Sequence, residues 1–398
     1  MSSSNKNALF ATQYTLTNAL GTGIEATWSA IEQGRTGLAP CNFETAEIPT
    51  FIGQIPDALL LPVRADLQSF DCRNNRLAQL SLVQDGFEQA VFLAIEKYGA
   101  HRIGVFLGTS TSGIFSTELA YRERPAYEGK LPPEFQYAGT QNNYSLAGFV
   151  SRYFGLKGPA LVVSSACSSS AKVFGNAQRM IDAGFCDAAI VGGVDSLCLT
   201  TLYGFKALGL VSEQPCRPYD GERNGISISE AAGFALLEKN PQSAKFRVSG
   251  VGESSDAYHM SSPHPEGKGA AAAMTAALHQ GGLEPTAIGY INLHGTATKT
   301  NDAAEGAAVA GMFGGSTPVS STKGFHGHSL GAAGITEIAI AAMALDRSLI
   351  PGSLNTQQLD STISVNYQLE NQSSKMKAVM SNSFGFGGSN CSVLIEAP

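Results

Sequence analysis

The chain has 398 residues, 43% of them hydrophobic, which suffices for one large or two medium domains around a sizeable core. A formal net charge of −7 argues against a general nucleic-acid binder, although a local basic patch could survive it. Seven cysteines, odd in number, loosely spaced and without a CxxC pair, argue against a disulfide framework or zinc site and for a reducing compartment.

The segment MSSSNKNALFATQ carries no charged stretch followed by an apolar core, so no secretory signal is read there. The pattern RLAQLSLVQDGFEQAVFLAIEKYG (76–99) has helical spacing, and the apolar, β-branched run RIGVFLG (102–108) predicts a strand. The polar, proline-containing stretch from Tyr121 to Asn143 reads as a surface excursion or interface loop. ALVVSS (160–165) is a second short strand. It leads through CSSS into the helical pattern AKVFGNAQRMIDAG, so Cys167 falls at a strand-to-helix turn among small residues. AAIVGGV (188–194) is continuously apolar, as a strand buried on both faces requires. Strands alternating with longer helices predict an α/β fold with covered sheets.

Around LLEKNPQSAKF (236–246) proline and polar residues cluster, and the pattern then restarts. KFRVSGVGES is strand-like, GKGAAAAMTAALHQGG helical and IGYINLHG a strand ending at His294. STPVSSTKGFHGH leads into the helix GAAGITEIAIAAMALDRS. Its apolar run ITEIAIAAMAL carries Glu337 and is too short to span a membrane. AVMSNSFGFGGSNCSVLIEA closes the chain as a strand pair around a glycine-rich turn. The division expected is 1–243 and 244–398, with similar element order in each. With no signal, no span and reduced cysteines, a cytoplasmic protein is expected.

Taken singly, the polar segments are ambiguous. A cysteine in a small-residue turn is more often structural than reactive, and a histidine after a strand is usually a satisfied polar group. His326 and His328 are two apart with no third ligand at metal spacing, so zinc explains them poorly. In order, however, SSACSSS, NLHGTAT, STKGFHGHSLGAAG and SNSFGFGGSN resemble the motifs of the elongating β-ketoacyl-acyl carrier protein synthases. SSDAYHMSSP, CRPYDGERNG and GTGIEATWSAIEQGRTGL carry the same resemblance, so it covers nearly the whole chain.

The resemblance implies a thiolase-like fold of two similar halves in five layers, α-β-α-β-α. It implies that Cys167 takes an acyl chain from an acyl carrier protein as a thioester, its thiolate favoured by a helix N-terminus. His294 and His328 would stabilise the enolate left when a malonyl group loses CO₂. The backbone N–H groups of Cys167 and Phe386 would form an oxyanion hole, with Phe386 and Phe384 on a gating loop. Lys323 would hold a network around His328 and Glu337. Thr296 and Thr298 would bind the phosphopantetheine arm, which the substrate carries, so no cofactor of the protein's own is expected. Thr111 falls where the family tunes acyl-pocket depth across a dimer interface. Asn292, Glu337, Ser381 and Asn382 would form a supporting network able to hold a monovalent cation. His326 stands where the family commonly has a threonine and is read as a spectator. The partners implied are the carrier protein and a second chain, as a homodimer or a heterodimer with a chain-length-factor-like subunit. Such factor subunits typically lack the nucleophile, so the intact Cys-His-His set favours an active enzyme. The same set disfavours initiating synthases and thiolases. An acidic carrier needs cations near the mouth, and Arg73, Arg76, Arg122, Arg124 and Lys206 are the candidates.

Overall fold

The computed structural model describes residues 8–398. Ten strands carry the architecture. In chain order they are β1 (Leu9–Asn18), β2 (Ile103–Gly108), β3 (Ala160–Val163), β4 (Ala188–Asp195) and β5 (Ala231–Glu238). The remainder are β6 (Phe246–Ser255), β7 (Tyr290–Asn292), β8 (Pro318–Ser320), β9 (Ala378–Gly385) and β10 (Ser389–Glu396). The first five lie side by side in the order β3-β2-β4-β5-β1, and the second five in the order β8-β7-β9-β10-β6. Numbered within each half, both orders are 3-2-4-5-1. The senses also agree: β2 is parallel to β3 and β4, and β7 to β8 and β9, while the last two pairings of each set are antiparallel. β1 and β6 join the sets, with Leu9 opposite Val248.

Seven helices cover these strands: α1 (Arg73–Leu82), α2 (Phe87–Tyr98), α3 (Ser145–Phe154), α4 (Ser169–Asp182), α5 (Lys268–Gly281), α6 (Lys299–Phe313) and α7 (Ala333–Arg347). α4 and α7 lie between the two strand sets and pack on both and on each other. Every residue of α7 from Ala333 to Leu345 is buried, which explains why its pattern is apolar all round. One core joins these two helices to the inner strand faces, through Phe106, Phe174, Val191, Ile338 and Val393. A second core joins α1, α2 and α3 to the outer face of the first set, and a third joins α5 and α6 to the outer face of the second. The result is the thiolase-like α/β arrangement of five layers, α-β-α-β-α. Among the described residues no helix is long and apolar enough to cross a membrane.

The stretch 76–99, helical in its spacing, is divided between two helices. Asp85 and Gly86 adopt φ of 54° and 71° between α1 and α2, which ends a right-handed helix. The Asp85 carboxylate holds that break by accepting hydrogen bonds from the Ile24 N–H and the Thr15 hydroxyl. The excursion after Tyr121 is surface chain with exposed tyrosines at 121, 137 and 144.

Candidate active site

The nucleophile turn follows β3. Ala166 sits at φ 54°, a left-handed conformation that costs a non-glycine residue energy and marks a site under constraint. Ser169 and Ser168 tie the turn, their hydroxyls donating to the Ala166 and Ser165 carbonyls. Cys167 thus stands just before α4.

His294 lies just past the end of β7, and the Glu305 carboxylate accepts the N–H groups of His294 and Gly295, each at 2.8 Å. His328 comes from the 323–330 loop, yet its backbone is held by the other half. Its N–H donates to Ser227 O at 2.7 Å, and its carbonyl accepts from Ser229 N–H at 3.0 Å. That pinning brings His328 Nε2 to 3.0 Å from Cys167 Sγ. The His294 and His328 rings meet edge to face at 5.3 Å. Ligating atoms of Cys167, His294 and His328 all lie within 4.8 Å of one another.

Burial sets the protonation of all three. Both imidazoles are held well below their usual range, first by desolvation and then by the nearby Lys323 ammonium. They are neutral. Lys323 Nζ, which can only donate, lies 3.4 Å from His294 Nδ1. Nδ1 is therefore the acceptor, and the His294 proton sits on Nε2, free to donate to a reacting oxygen.

The thiol departs from expectation. Burial pushes it from 9.0 up to about 12; Lys323 pulls it down, and Asp195 and Glu337 add to the rise. That rise corresponds to ~4 kcal/mol, more than the ~0.3–2 kcal/mol a helix terminus supplies. The resting nucleophile is a thiol facing His328, and the helix start alone does not make it a thiolate.

Lys323 is fully buried and bonds to the Glu337 carboxylate and the His294 carbonyl oxygen. Its network runs through Glu337 and His294, and no hydrogen bond joins its ammonium to His328, contrary to the expected arrangement.

A cavity lined by Cys167, His294, His328, Thr296, Thr298, Phe384 and Phe386 opens beside Phe205, Ser262 and Pro263. The void at its centre measures about 60 Å³. The Thr296 and Thr298 hydroxyls are 2.9 Å apart. The Phe384 ring packs 6.0 Å from His294 and Phe386 lies 5.6 Å from Phe205. Gly385 passes so close to the nucleophile that a Cβ there would lie 3.1 Å from Cys167 N, a tight contact with backbone. Gly387 and Gly388, at φ 79° and 70°, let the turn reverse beside it.

Thr111 does not line this cavity. It is buried with its hydroxyl bonded to Asp195 at 2.9 Å and accepting from Ser196 N–H. His326 is buried away from it against Thr322. In the supporting cluster Asn292 and Ser381 are register partners across β7 and β9. Asn292 Oδ1, Ser381 Oγ and Glu337 Oε2 are buried with no hydrogen-bond partner, whereas Asn382 is committed to Glu305 and Ser392. Three unpartnered oxygens suit a hard cation, and Asn382 contributes only its contacts to neighbours.

The expected basic patch is largely neutralised. Arg73 is buried in ion pairs with Glu230 and Asp57, Arg76 pairs with Asp71, and Arg122 with Glu44. Arg124 donates to the Gly129 carbonyl. Of the five, Lys206 adjoins the cavity-lining Phe205 in sequence and is only loosely paired with Glu213 at 3.8 Å. Two further residues matter here: Glu305, a buried acid in the small-residue helix α6, and Asp195, a charge ending the buried strand β4. For Asp195, an acid at the end of an otherwise apolar strand was the available signal.

Comparison with known proteins agrees with this geometry. Residues 14–243 match the family model for the β-ketoacyl synthase N-terminal domain, and residues 246–357 match the C-terminal domain. The chain is 31% identical to 3-oxoacyl-[acyl-carrier-protein] synthase 2 of Vibrio cholerae serotype O1, over 98% of this chain and 99% of that protein. It is 32% identical to Nodulation protein E of Rhizobium meliloti (strain 1021), over 93% and 94%. A chain from the structure of the ketosynthase ApeO in complex with its chain length factor ApeC, from Xenorhabdus doucetiae, superposes with a TM-score of 0.91. The two are 36% identical, with full coverage of both chains. With a cysteine and two neutral histidines converging in one buried cavity, and with both family domains matched in order, the chain belongs to the β-ketoacyl synthase family: it is a condensing acyltransferase of the β-ketoacyl-acyl carrier protein synthase type.

Proposed function

We propose that the reaction runs on the residues brought together here, and that Cys167 carries the acyl chain. The Cys167 sulfur attacks the thioester of an acyl carrier protein substrate. The carrier thiol leaves with a proton, and the acyl group stays on Sγ. A malonyl-carrier protein then enters and loses CO₂. The resulting enolate oxygen accepts hydrogen bonds from the neutral imidazoles of His294 and His328. The enolate carbon attacks the acyl carbonyl, whose oxygen is held by the Cys167 and Phe386 N–H groups. Collapse expels the Cys167 sulfur, which regains its proton. The convergence of the three reactive side chains within 4.8 Å carries this reading.

Thr296 and Thr298, paired at the cavity wall, are positioned to bind the phosphopantetheine arm carried by the substrate. No separate cofactor is needed for the chemistry. Asn292, Ser381 and Glu337 would hold a monovalent cation, whose charge would offset that of Glu337. The identical strand order supports reading 1–243 and 244–398 as two copies of one unit.

Among the described residues β3 pairs on one side only, and its four residues are part-exposed. A second condensing-enzyme chain pairing at this edge, as a homodimer or a heterodimer with a chain-length-factor-like subunit, fits that free edge. The chain length factor in the complex from Xenorhabdus doucetiae favours the heterodimer. Seven unpaired cysteines support a reducing, cytoplasmic location.

Intact-mass measurement after incubation with an acyl carrier protein substrate tests the central assignment. The chain gains the acyl mass and Cys167→Ala does not. Acylation of Cys167→Ala would place the intermediate elsewhere.

A further inference from the structure

We propose that Asp195 is a positioning residue for the condensation, clamping the His328 loop of one half to the nucleophile turn of the other. This rests on the roles given to Cys167 and His328 above. Asp195 ends β4 and is buried with no cationic partner among the described residues. Its charge is held by neutral donors alone. Oδ1 accepts from Thr109 Oγ1 at 2.7 Å, Ser110 N–H at 2.8 Å, and the N–H and hydroxyl of Thr111 at 2.9 Å. Oδ2 accepts from Gly331 N–H at 2.5 Å. A carboxylate taken out of water needs several donors to persist, and here they come from two different halves.

Each donor group leads to a reacting residue. Ser110 Oγ donates to the Ala166 carbonyl at 3.4 Å, one residue before Cys167. Gly331 lies three residues after His328, and between them Leu330 is held at φ 49°. A non-glycine residue stays there only when its surroundings over-determine it. On one side His328 is pinned by Ser227 and Ser229; on the other the turn is closed by the Ala332 N–H to Ser329 carbonyl bond and tied to β4 by the Gly331–Asp195 bond. The fit is tight, since a Cβ at Gly331 would lie 2.8 Å from Asp195 Oδ2 and 2.7 Å from Ser110 Oγ. The clamp opposes ionisation of the nucleophile, because Asp195 adds to the rise of the Cys167 thiol. The groups facing that sulfur are Lys323, Asp195, Glu337 and the neutral His294 and His328.

Asp195→Asn separates these effects. The amide oxygen still accepts from Thr109 to Thr111, but its NH₂ meets the Gly331 N–H and cannot accept from it. Malonyl decarboxylation should fall about 10–100-fold, the cost of one buried hydrogen bond, while acyl loading changes by less than about threefold. The pH profile of Cys167 alkylation by iodoacetamide should move to lower pH, which a merely loosened fold would not produce. Gly331→Ala breaks the same contact from the other side and should give the same split between half-reactions; it decides the matter if Asp195→Asn does not fold. Equal losses in loading and decarboxylation, or an unchanged decarboxylation rate, overturn the proposal. If Cys167 proves not to carry the acyl group, the mass measurement fails first and independently.

Discussion

The two halves share one strand order and differ in what they hang on it. After the third strand of each set the chain turns into a central helix. In the first half that turn carries Cys167, ahead of α4; in the second it carries Lys323 and His328, ahead of α7. After the second strand, the first half places Thr109 to Thr111, which donate to Asp195, and the second places His294. Equivalent positions thus supply a nucleophile on one side and hydrogen-bond donors on the other. Burying them at one junction brings them together without a loop having to reach. The halves also hold their buried charge differently. Asp195 is satisfied by neutral donors, whereas Glu337 is paired through one oxygen with the Lys323 ammonium.

The largest expected effect comes from breaking the charged arrangement. Lys323→Met leaves Glu337 buried and unpaired, and should cost about 3–5 kcal/mol of unfolding free energy as well as turnover. Adding Glu337→Leu should return much of the stability but none of the turnover, because His294 loses the donor facing Nδ1. Denaturant unfolding and turnover on the single and double variants check this; recovery of activity in the double variant would mean the pair is only structural.

The smallest effect separates a docking charge from a structural one. Lys206→Glu should raise the apparent KM for a carrier-bound substrate by about 2–5-fold at low salt, leaving a small pantetheine thioester unaffected. Arg73→Glu should instead destabilise the fold, because it faces the buried Glu230. Equal effects of Lys206→Glu on both substrates would remove it from docking.

Much of the fold was legible because buried strands and helices carry their period in the sequence. β4 and α7 are continuously apolar, and the glycine-rich turn between β9 and β10 is where it was expected. The break at Asp85–Gly86 was not legible, since it depends on a contact with Ile24 and Thr15 far away in the chain. In the site, short motifs marked Cys167, His294, Lys323 and His328. The sequence could not show that desolvation outweighs the helix start at Cys167, because burial is a property of the assembled junction. It could not show that Arg73 is consumed by Glu230, or Thr111 by Asp195, 84 residues along the chain. Glu305 was not legible because its partners are mostly backbone N–H groups, which leave no sequence mark.

Neutral histidines at the junction are the central claim, and their titration tests it most directly. In the unfolded chain each imidazole takes up a proton as pH falls through its ordinary value of about 6.5. In the folded chain His294 and His328 stay neutral well below that. The folded state then binds fewer protons than the unfolded one, so stability falls as pH drops below about 6.5. The chemistry should not follow it. The rate of malonyl decarboxylation, measured from roughly pH 5 to 8 while the chain remains folded, should show no acid limb near 6.5. His294→Ala and His328→Ala should each lower the plateau by about 10²–10³, with acyl loading less affected. An acid limb centred near 6.5, lost in either variant, would show that the imidazoles charge at their ordinary pKa and would contradict the account.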